Sequence, residues 1–269
     1  MPELPEVETV VRELKSLIIG KEILSITPLW LKSFDQKSKT KITGQNVEKI
    51  SRQGKYIIMH LTGSYLIVHL RMTGQMLFKN DNTKVVDPHI RVLIQFTDDT
   101  ALHFKDTRKF GRIYHVDHPE SVLQKVGIDA LDPNLKEEWF VSALKKSRMN
   151  IKALLLSQRL LSGIGNIYAD ESLFRSGIHP GSIAARIPGN SMISLFNNIR
   201  DVLTSAVENM GSTISDYRDS YGNKGNNQNF LKVYQRNGKP CEKCGRPILK
   251  VRMAGRGTHF CNKCQKIYS

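Results

Sequence analysis

No stretch of the chain approaches the ~20 consecutive apolar residues that a membrane helix needs, so a transmembrane protein is excluded. What a secretory signal requires is missing too: Met1-Pro2-Glu3-Leu4-Pro5-Glu6 is acidic and has no basic segment ahead of an apolar one. Cysteine is scarce and confined, with all four beyond residue 240. Acid is in short supply, 25 Asp and Glu against 40 Lys and Arg, which leaves a net charge of +15. There is no internal repeat and no low-complexity segment. The expectation is a soluble, intracellular, basic protein. Its 269 residues suffice for two domains, or two and a small module.

The positive charge is unevenly placed. Residues 232–269 carry ten Lys or Arg against Glu242 alone, so nine of the fifteen net charges lie there. A solvated face mixes signs and this one does not. A polyanionic partner is expected, nucleic acid ahead of membrane because no amphipathic basic helix is visible. The cysteines share that stretch: Cys241 and Cys244, sixteen residues, then Cys261 and Cys264. Paired C-x2-C motifs at this separation read as one tetrahedral zinc site. Two disulfides are the competing reading, disfavoured because nothing points to export. Four thiolates leave no open position, so the zinc is structural.

Residues 4–18 predict a helix, with Val7, Val10, Val11, Leu14, Leu17 and Ile18 on one face. Pro5 suits its first turn, and Glu6 and Glu8 suit the positive end of its dipole. Glu3 precedes the helix and has no such structural role. From about residue 21 to 118 the pattern is β, with short strands such as 56–61 and 65–70 joined by turns, a sandwich or barrel. After Pro133 the period changes, and 137–146, 151–158, 167–176 and 192–209 read as helices. Residues 212–229, rich in Gly, Asn and Ser, read as a mobile loop.

Several residues suggest chemistry. Methionine is removed before small residues, so the mature chain should begin at Pro2, whose free nitrogen is a secondary amine. An α-amine has a pKa of roughly 8, well below the ~10.4 of lysine. Such an amine can attack an electrophilic carbon to give an iminium, and Glu3 beside it could move protons. Lys55 enters a strand straight after Gly54. Gly163-Ile164-Gly165-Asn166 reads equally as a helix N-cap at Asn166 or as a phosphate cradle.

Pro2-Glu3-Leu4-Pro5-Glu6-Val7-Glu8, Gly54-Lys55-Tyr56, His69-Leu70-Arg71-Met72, Asp106-Thr107-Arg108-Lys109-Phe110-Gly111, residues 163–168 and residues 254–261 occur in this order. Together they resemble the bacterial formamidopyrimidine-DNA glycosylase (8-oxoguanine-DNA glycosylase) family, from residue 2 to the last cysteine pair. The resemblance implies an α+β multidomain protein: an N-terminal β-sandwich with an N-terminal helix over 1–132, a helix–two-turn–helix domain over 133–230 with a lesion loop near 212–229, and a four-cysteine zinc finger over 231–269. It implies base-excision repair in a bacterial cytoplasm, by a monomer acting on double-stranded DNA that contains oxidised purines. Pro2 would attack C1′ of a flipped nucleotide. Glu3 would assist ring opening or base departure, Lys55 β-elimination and Arg256 δ-elimination. Met72, Arg108 and Phe110 would fill the vacated stack, and His89, Asn166 and Lys152 would meet phosphate. Many relatives have His-Asp-His where this chain reads His89-Ile90-Arg91, so only the first histidine carries over. The endonuclease VIII branch, which prefers oxidised pyrimidines, usually opens Pro-Glu-Gly-Pro-Glu, unlike this chain. A non-catalytic damaged-DNA-binding protein could dispense with Pro2 or Glu3. An RNA-binding zinc ribbon explains only the tail.

Overall fold

Apolar spacing decides the first helix. In α1 (Leu4–Ile18), residues three and four apart stack on one face, and Val7, Val10, Val11, Leu14 and Ile18 are all buried. The computed structural model describes residues 1–81 and 87–269. After α1 come β1 (Ile23–Pro28), β2 (Phe34–Gln36), β3 (Val47–Gln53), β4 (Tyr56–Leu61) and β5 (Tyr65–His69). Next are β6 (Gln75–Lys79), β7 (Ile90–Phe96), β8 (Ala101–Lys105), β9 (Arg112–Val116) and the short α2 (Glu120–Leu123). Two sheets result, ordered β1-β7-β8-β6 and β2-β9-β5-β4-β3. β2 runs parallel to β9, whereas the β3-β4 and β4-β5 pairs are antiparallel. Val68 and Ile113 from one sheet, Ile94 and Phe104 from the other, and the buried face of α1 share one apolar cluster, so the sandwich expectation holds.

The helical expectation holds too. The second half contains β10 (Ile128–Asp129), α3 (Glu137–Lys145), α4 (Ile151–Leu156), β11 (Leu161–Ser162), α5 (Asn166–Arg175) and α6 (Gly189–Glu208). It ends in a hairpin of β12 (Leu249–Met253) and β13 (Arg256–Phe260). α4 stops two residues short of the expected end, where Gln158 takes a φ of +59°. By its contacts the chain divides into two compact units, Met1–Lys125 with Asn209–Gln228, and Val126–Glu208 with Asn229–Ser269.

The loop at 212–229 is not the loose segment its composition suggested. Ser212 donates its N–H to Glu6 Oε1 at 2.7 Å, and Ser220 donates to Glu13 Oε2 at 2.7 Å. The Ser220 carbonyl accepts from Phe78 N–H at 2.9 Å, and Tyr217 joins the sandwich core. Two carboxylates of α1, two helical turns apart, thus staple the loop to the first unit. The donors are backbone amides, which no side-chain pattern reports.

Candidate active site and nucleic-acid interface

The first unit holds the start of the chain firmly. Met1 is 50% exposed, while Pro2 and Glu3 are buried. Glu3 does have a structural role, contrary to the expectation. It occupies the N-cap of α1 and forms a capping box with Glu6, its own N–H donating to Glu6 Oε2 at 2.7 Å. Glu6 therefore bridges two segments, one oxygen on Glu3 and the other on Ser212 of the loop. Glu8 turns instead to Arg52 and Arg12.

Lys55 is the second residue of the two-residue turn between β3 and β4, and it is buried rather than solvated. His69, at the end of β5, lies close enough to feel its charge. Burial first, then the cations of Arg71 and Lys55, push the His69 pKa down to about 3. The ring is therefore neutral. Its Nδ1 accepts Arg71 N–H at 2.9 Å, which leaves Nε2 as a donor. His69 received no role in the sequence reading, because nothing in a single strand-end histidine reports its burial.

Met72 and Phe110 are 39% and 48% exposed, unusual for large apolar side chains that come from two separate loops. The two loops are tied together. Asp106 accepts hydrogen bonds from the Thr73 hydroxyl, from Arg108 N–H at 3.1 Å and from Gly111 N–H at 2.6 Å. Gly111 has to be glycine, since a Cβ there would lie 2.4 Å from the Phe104 ring. The Arg108 guanidinium sits 5.0 Å from the Phe110 ring centre. Arg71 and Lys109, which flank Met72 and lie between Arg108 and Phe110, have φ of +54° and +61°. Strain of this kind in non-glycine residues clusters at functional sites. His89 is exposed on the loop before β7.

In the second unit α5 is a platform for the finger. Gly165, not Asn166, is its N-cap, so the capping alternative for Asn166 falls away. The Asn166 side-chain amide donates to the Gly257 carbonyl at 2.9 Å, next to Arg256, and keeps a second N–H for another acceptor. Asp170 takes Lys152 Nζ at 2.6 Å and His259 N–H at 2.8 Å. Glu171 takes the N–H groups of Lys232, Val233 and Tyr234, and burial raises its pKa despite those donors. Asp170 and Glu171 escaped the sequence reading although two acids on a buried helix face were the available signal. Arg256 is exposed at the mouth of a two-residue turn, Ala254-Gly255, whose φ of +49° and +71° match a type I′ hairpin.

Lys152 requires a correction. It is fully buried, with Nζ on Asp170 and on Thr258 Oγ1 at 2.7 Å, and so offers no charge to a phosphate. The sequence shows the charge of Lys152 but not the Asp170 and Thr258 that engage it. Lys152→Met is expected to destabilise the second unit by about 3–5 kcal/mol, because it strands a buried carboxylate. Lys152→Met with Asp170→Leu should recover much of that loss. Denaturant unfolding measures both. Unchanged stability together with a shallower salt dependence of DNA binding would restore the phosphate role.

The four cysteines are not disulfide-bonded, and their sulfurs all lie within 4.8 Å of one another. Cys241 and Cys264 are 3.9 Å apart, and Cys244 and Cys261 are 3.5 Å apart. A tetrahedron with Zn–S of ~2.3 Å has S···S edges of about 3.8 Å, so the donor set fits the ion. Without a cation the thiols cannot ionise together: Cys264 is pushed up to about 12 by burial and by hydrogen bonding with its neighbours. The cluster is a structural zinc site. Among the described residues no helix is long and apolar enough to cross a membrane.

Three family descriptions match in chain order. They are the formamidopyrimidine-DNA glycosylase N-terminal domain over residues 1–113, its H2TH domain over 126–218, and the zinc finger found in FPG and IleRS over 238–267. Formamidopyrimidine-DNA glycosylase of Bacillus licheniformis is 40% identical over 277 residues, covering 99% of this chain and all of the relative. The enzyme of that name from Ligilactobacillus salivarius is 41% identical over 278 residues, covering all of both chains. Among solved structures, MutM (Fpg) of Thermus thermophilus matches with a TM-score of 0.88 at 38% identity, covering 98% of each chain. Fpg of Lactococcus lactis in complex with N7-benzyl-Fapy-dG-containing DNA matches with a TM-score of 0.90 at 36% identity, covering 98% of this chain and all of that one.

Proposed function

The chain belongs to the formamidopyrimidine-DNA glycosylase family, and from that premise we propose how its residues divide the work. It is a base-excision repair enzyme that removes oxidised purines, 8-oxoguanine and formamidopyrimidines, from double-stranded DNA and then cleaves the abasic strand. The observation that carries the assignment of roles is Pro2, buried at the head of α1 with Glu3 following it.

With Met1 removed, the Pro2 nitrogen donates its lone pair to C1′ of the flipped nucleotide. The glycosidic C–N bond breaks and the base leaves with that electron pair and a proton. Opening of the sugar ring, with Glu3 giving a proton to O4′, produces an iminium between C1′ and Pro2. The iminium acidifies C2′–H. Loss of that proton expels the 3′ phosphate (β-elimination), the step assigned to Lys55, with the neutral His69 near it as a hydrogen-bond donor. A second elimination expels the 5′ phosphate, with Arg256 holding it. Hydrolysis then frees Pro2 and leaves a gap with a phosphate at each end.

Met72, Phe110 and Arg108 fill the vacated stack, Arg108 donating to the orphaned base. His89 and Asn166 meet phosphate. The domain limits proposed at the outset, 1–132, 133–230 and 231–269, describe the catalytic sandwich, the helical domain and the finger. The working form is a monomer, and the place of action is the bacterial cytoplasm.

Borohydride reduction with a duplex carrying 8-oxoguanine opposite cytosine tests the reading. The expected result is a covalent adduct whose peptide maps to Pro2. No adduct, or one formed equally with an oxidised pyrimidine, would move the chain to the non-catalytic or the endonuclease VIII reading.

A further inference from the structure

Arg91 is only 8% exposed, and among the described residues its guanidinium meets no carboxylate. Burying a cation against neutral acceptors is costly, so its geometry merits an account. Nε donates to the Asp106 carbonyl at 2.7 Å, one terminal nitrogen to the Pro88 carbonyl at 2.9 Å, and the other to His89 Nδ1 at 3.3 Å. The Arg91 carbonyl in turn accepts from Leu29 N–H at 2.8 Å and Trp30 N–H at 3.0 Å. The Trp30 ring lies 4.1 Å from the Lys109 ammonium, within the Arg108 loop. Two loops thus meet on the Arg91 side chain, and a third segment meets its backbone carbonyl. Asp106 opens the loop that carries Arg108 and Phe110, and Pro88 and His89 belong to the loop before β7.

A planar guanidinium is the group that can donate in three fixed directions at once. A histidine or lysine at this position could not hold all three acceptors. The contact with His89 also sets that ring. A guanidinium can only donate, so Nδ1 is the acceptor in this contact. Lys105 pairs with Asp87, whose carboxylate caps His89 N–H.

We propose that Arg91 is a positioning residue that locks the His89 loop and the Arg108 loop into one rigid piece, and so sets how strongly the enzyme discriminates the base opposite the lesion. The proposal rests on the reading above that Arg108 meets the orphaned base and His89 a phosphate.

The test uses the full, zinc-loaded protein and 8-oxoguanine duplexes bearing each of the four opposing bases. Arg91→Ala should raise KM about tenfold on the preferred duplex and far less on the others, so that the preference between opposing bases in kcat/KM collapses to about twofold, while kcat at saturating DNA stays within about threefold. Adding Arg108→Ala to Arg91→Ala should change the preference no further, because both act through one loop. A merely structural residue would lower the melting temperature and the activity on all duplexes alike, with the preference intact, and that result overturns the proposal. If Arg108→Ala alone collapses the preference while Arg91→Ala preserves it, the proposal fails and the reading of Arg108 stands. If Arg108→Ala alone leaves the preference intact, the reading itself has failed and the proposal falls with it. Should Arg91→Ala not fold, Arg91→Lys decides: it keeps the cation but not the three-way fan. It should weaken the preference, and an unchanged preference in that variant overturns the proposal.

Discussion

A chain that keeps Met1 will give no borohydride-trapped adduct with an 8-oxoguanine duplex, while still binding that duplex. In the Met1–Pro2 peptide the proline nitrogen is a tertiary amide. Its lone pair is delocalised into the carbonyl, and it carries no hydrogen to lose, so an iminium cannot form. The free amine is well suited by comparison. With a pKa of roughly 8, about a fifth of an α-amine is unprotonated at pH 7.4, against about one in a thousand for an ordinary lysine. A nearby lysine therefore replaces the terminal amine poorly, and the adduct should fall at least about a hundredfold. Binding should survive because Met1 is half exposed and the capping box begins only at Glu3. Mass spectrometry establishes which chains keep Met1, and gel shift and reductive trapping are then run on the same sample. A normal adduct yield from the Met1-retaining chain would sink the assignment of Pro2, and an adduct peptide containing Lys55 would name its replacement.

What was legible in the sequence is what neighbours in the chain decide. Helix α1 shows through a three-to-four spacing that needs no knowledge of its partner, and the zinc site shows through two tight turns and the separation between them. Chain order alone placed Pro2 beside Glu3. Most of the misreadings concern partners far away along the chain. Lys152 meets Asp170 and Thr258, 18 and 106 residues on. Glu6 and Glu13 receive amides more than 200 residues away, so a loop rich in Gly and Asn looked free when it is stapled down. Glu3 seemed without structural work because the reciprocal bond of a capping box comes from its own N–H, which every residue except proline has. Arg91 read as a departure from a family pattern, and only the acceptors around it show what the larger side chain does. Burial of polar groups is the common thread. A sequence displays the charge and hides whether a partner arrives to satisfy it.

Removal of zinc should unfold the finger and weaken binding to a lesion duplex by more than about tenfold near 0.1 M salt. The apolar cluster there is small: Phe174 of α5, Val233 and Ile248, completed by Cys241 and Cys261, which are themselves ligands. β12 is exposed along most of its length, and a lone two-stranded hairpin is marginal in water. The metal supplies what the core lacks, with an apparent binding free energy of about 10–16 kcal/mol in comparable fingers. Unfolding scatters ten cations that face a single acid, and it releases Arg256 from the turn that presents it. If two or three of those cations meet phosphate, the slope of log affinity against log salt should drop in magnitude by about 2–3, at ~0.9 per contact. The sandwich cluster contains no finger residue, so the thermal transition of the first unit should persist in metal-free protein. Zinc with four thiolates has no position for substrate. Metal-free protein driven onto DNA at high concentration should therefore still trap through Pro2, as should a Cys244→Ser variant. Unchanged affinity and salt slope after verified metal loss would show that the finger folds or binds without zinc. Bound but untrappable DNA would instead give the finger a part in aligning the nucleotide for attack, beyond the phosphate grip assigned to it.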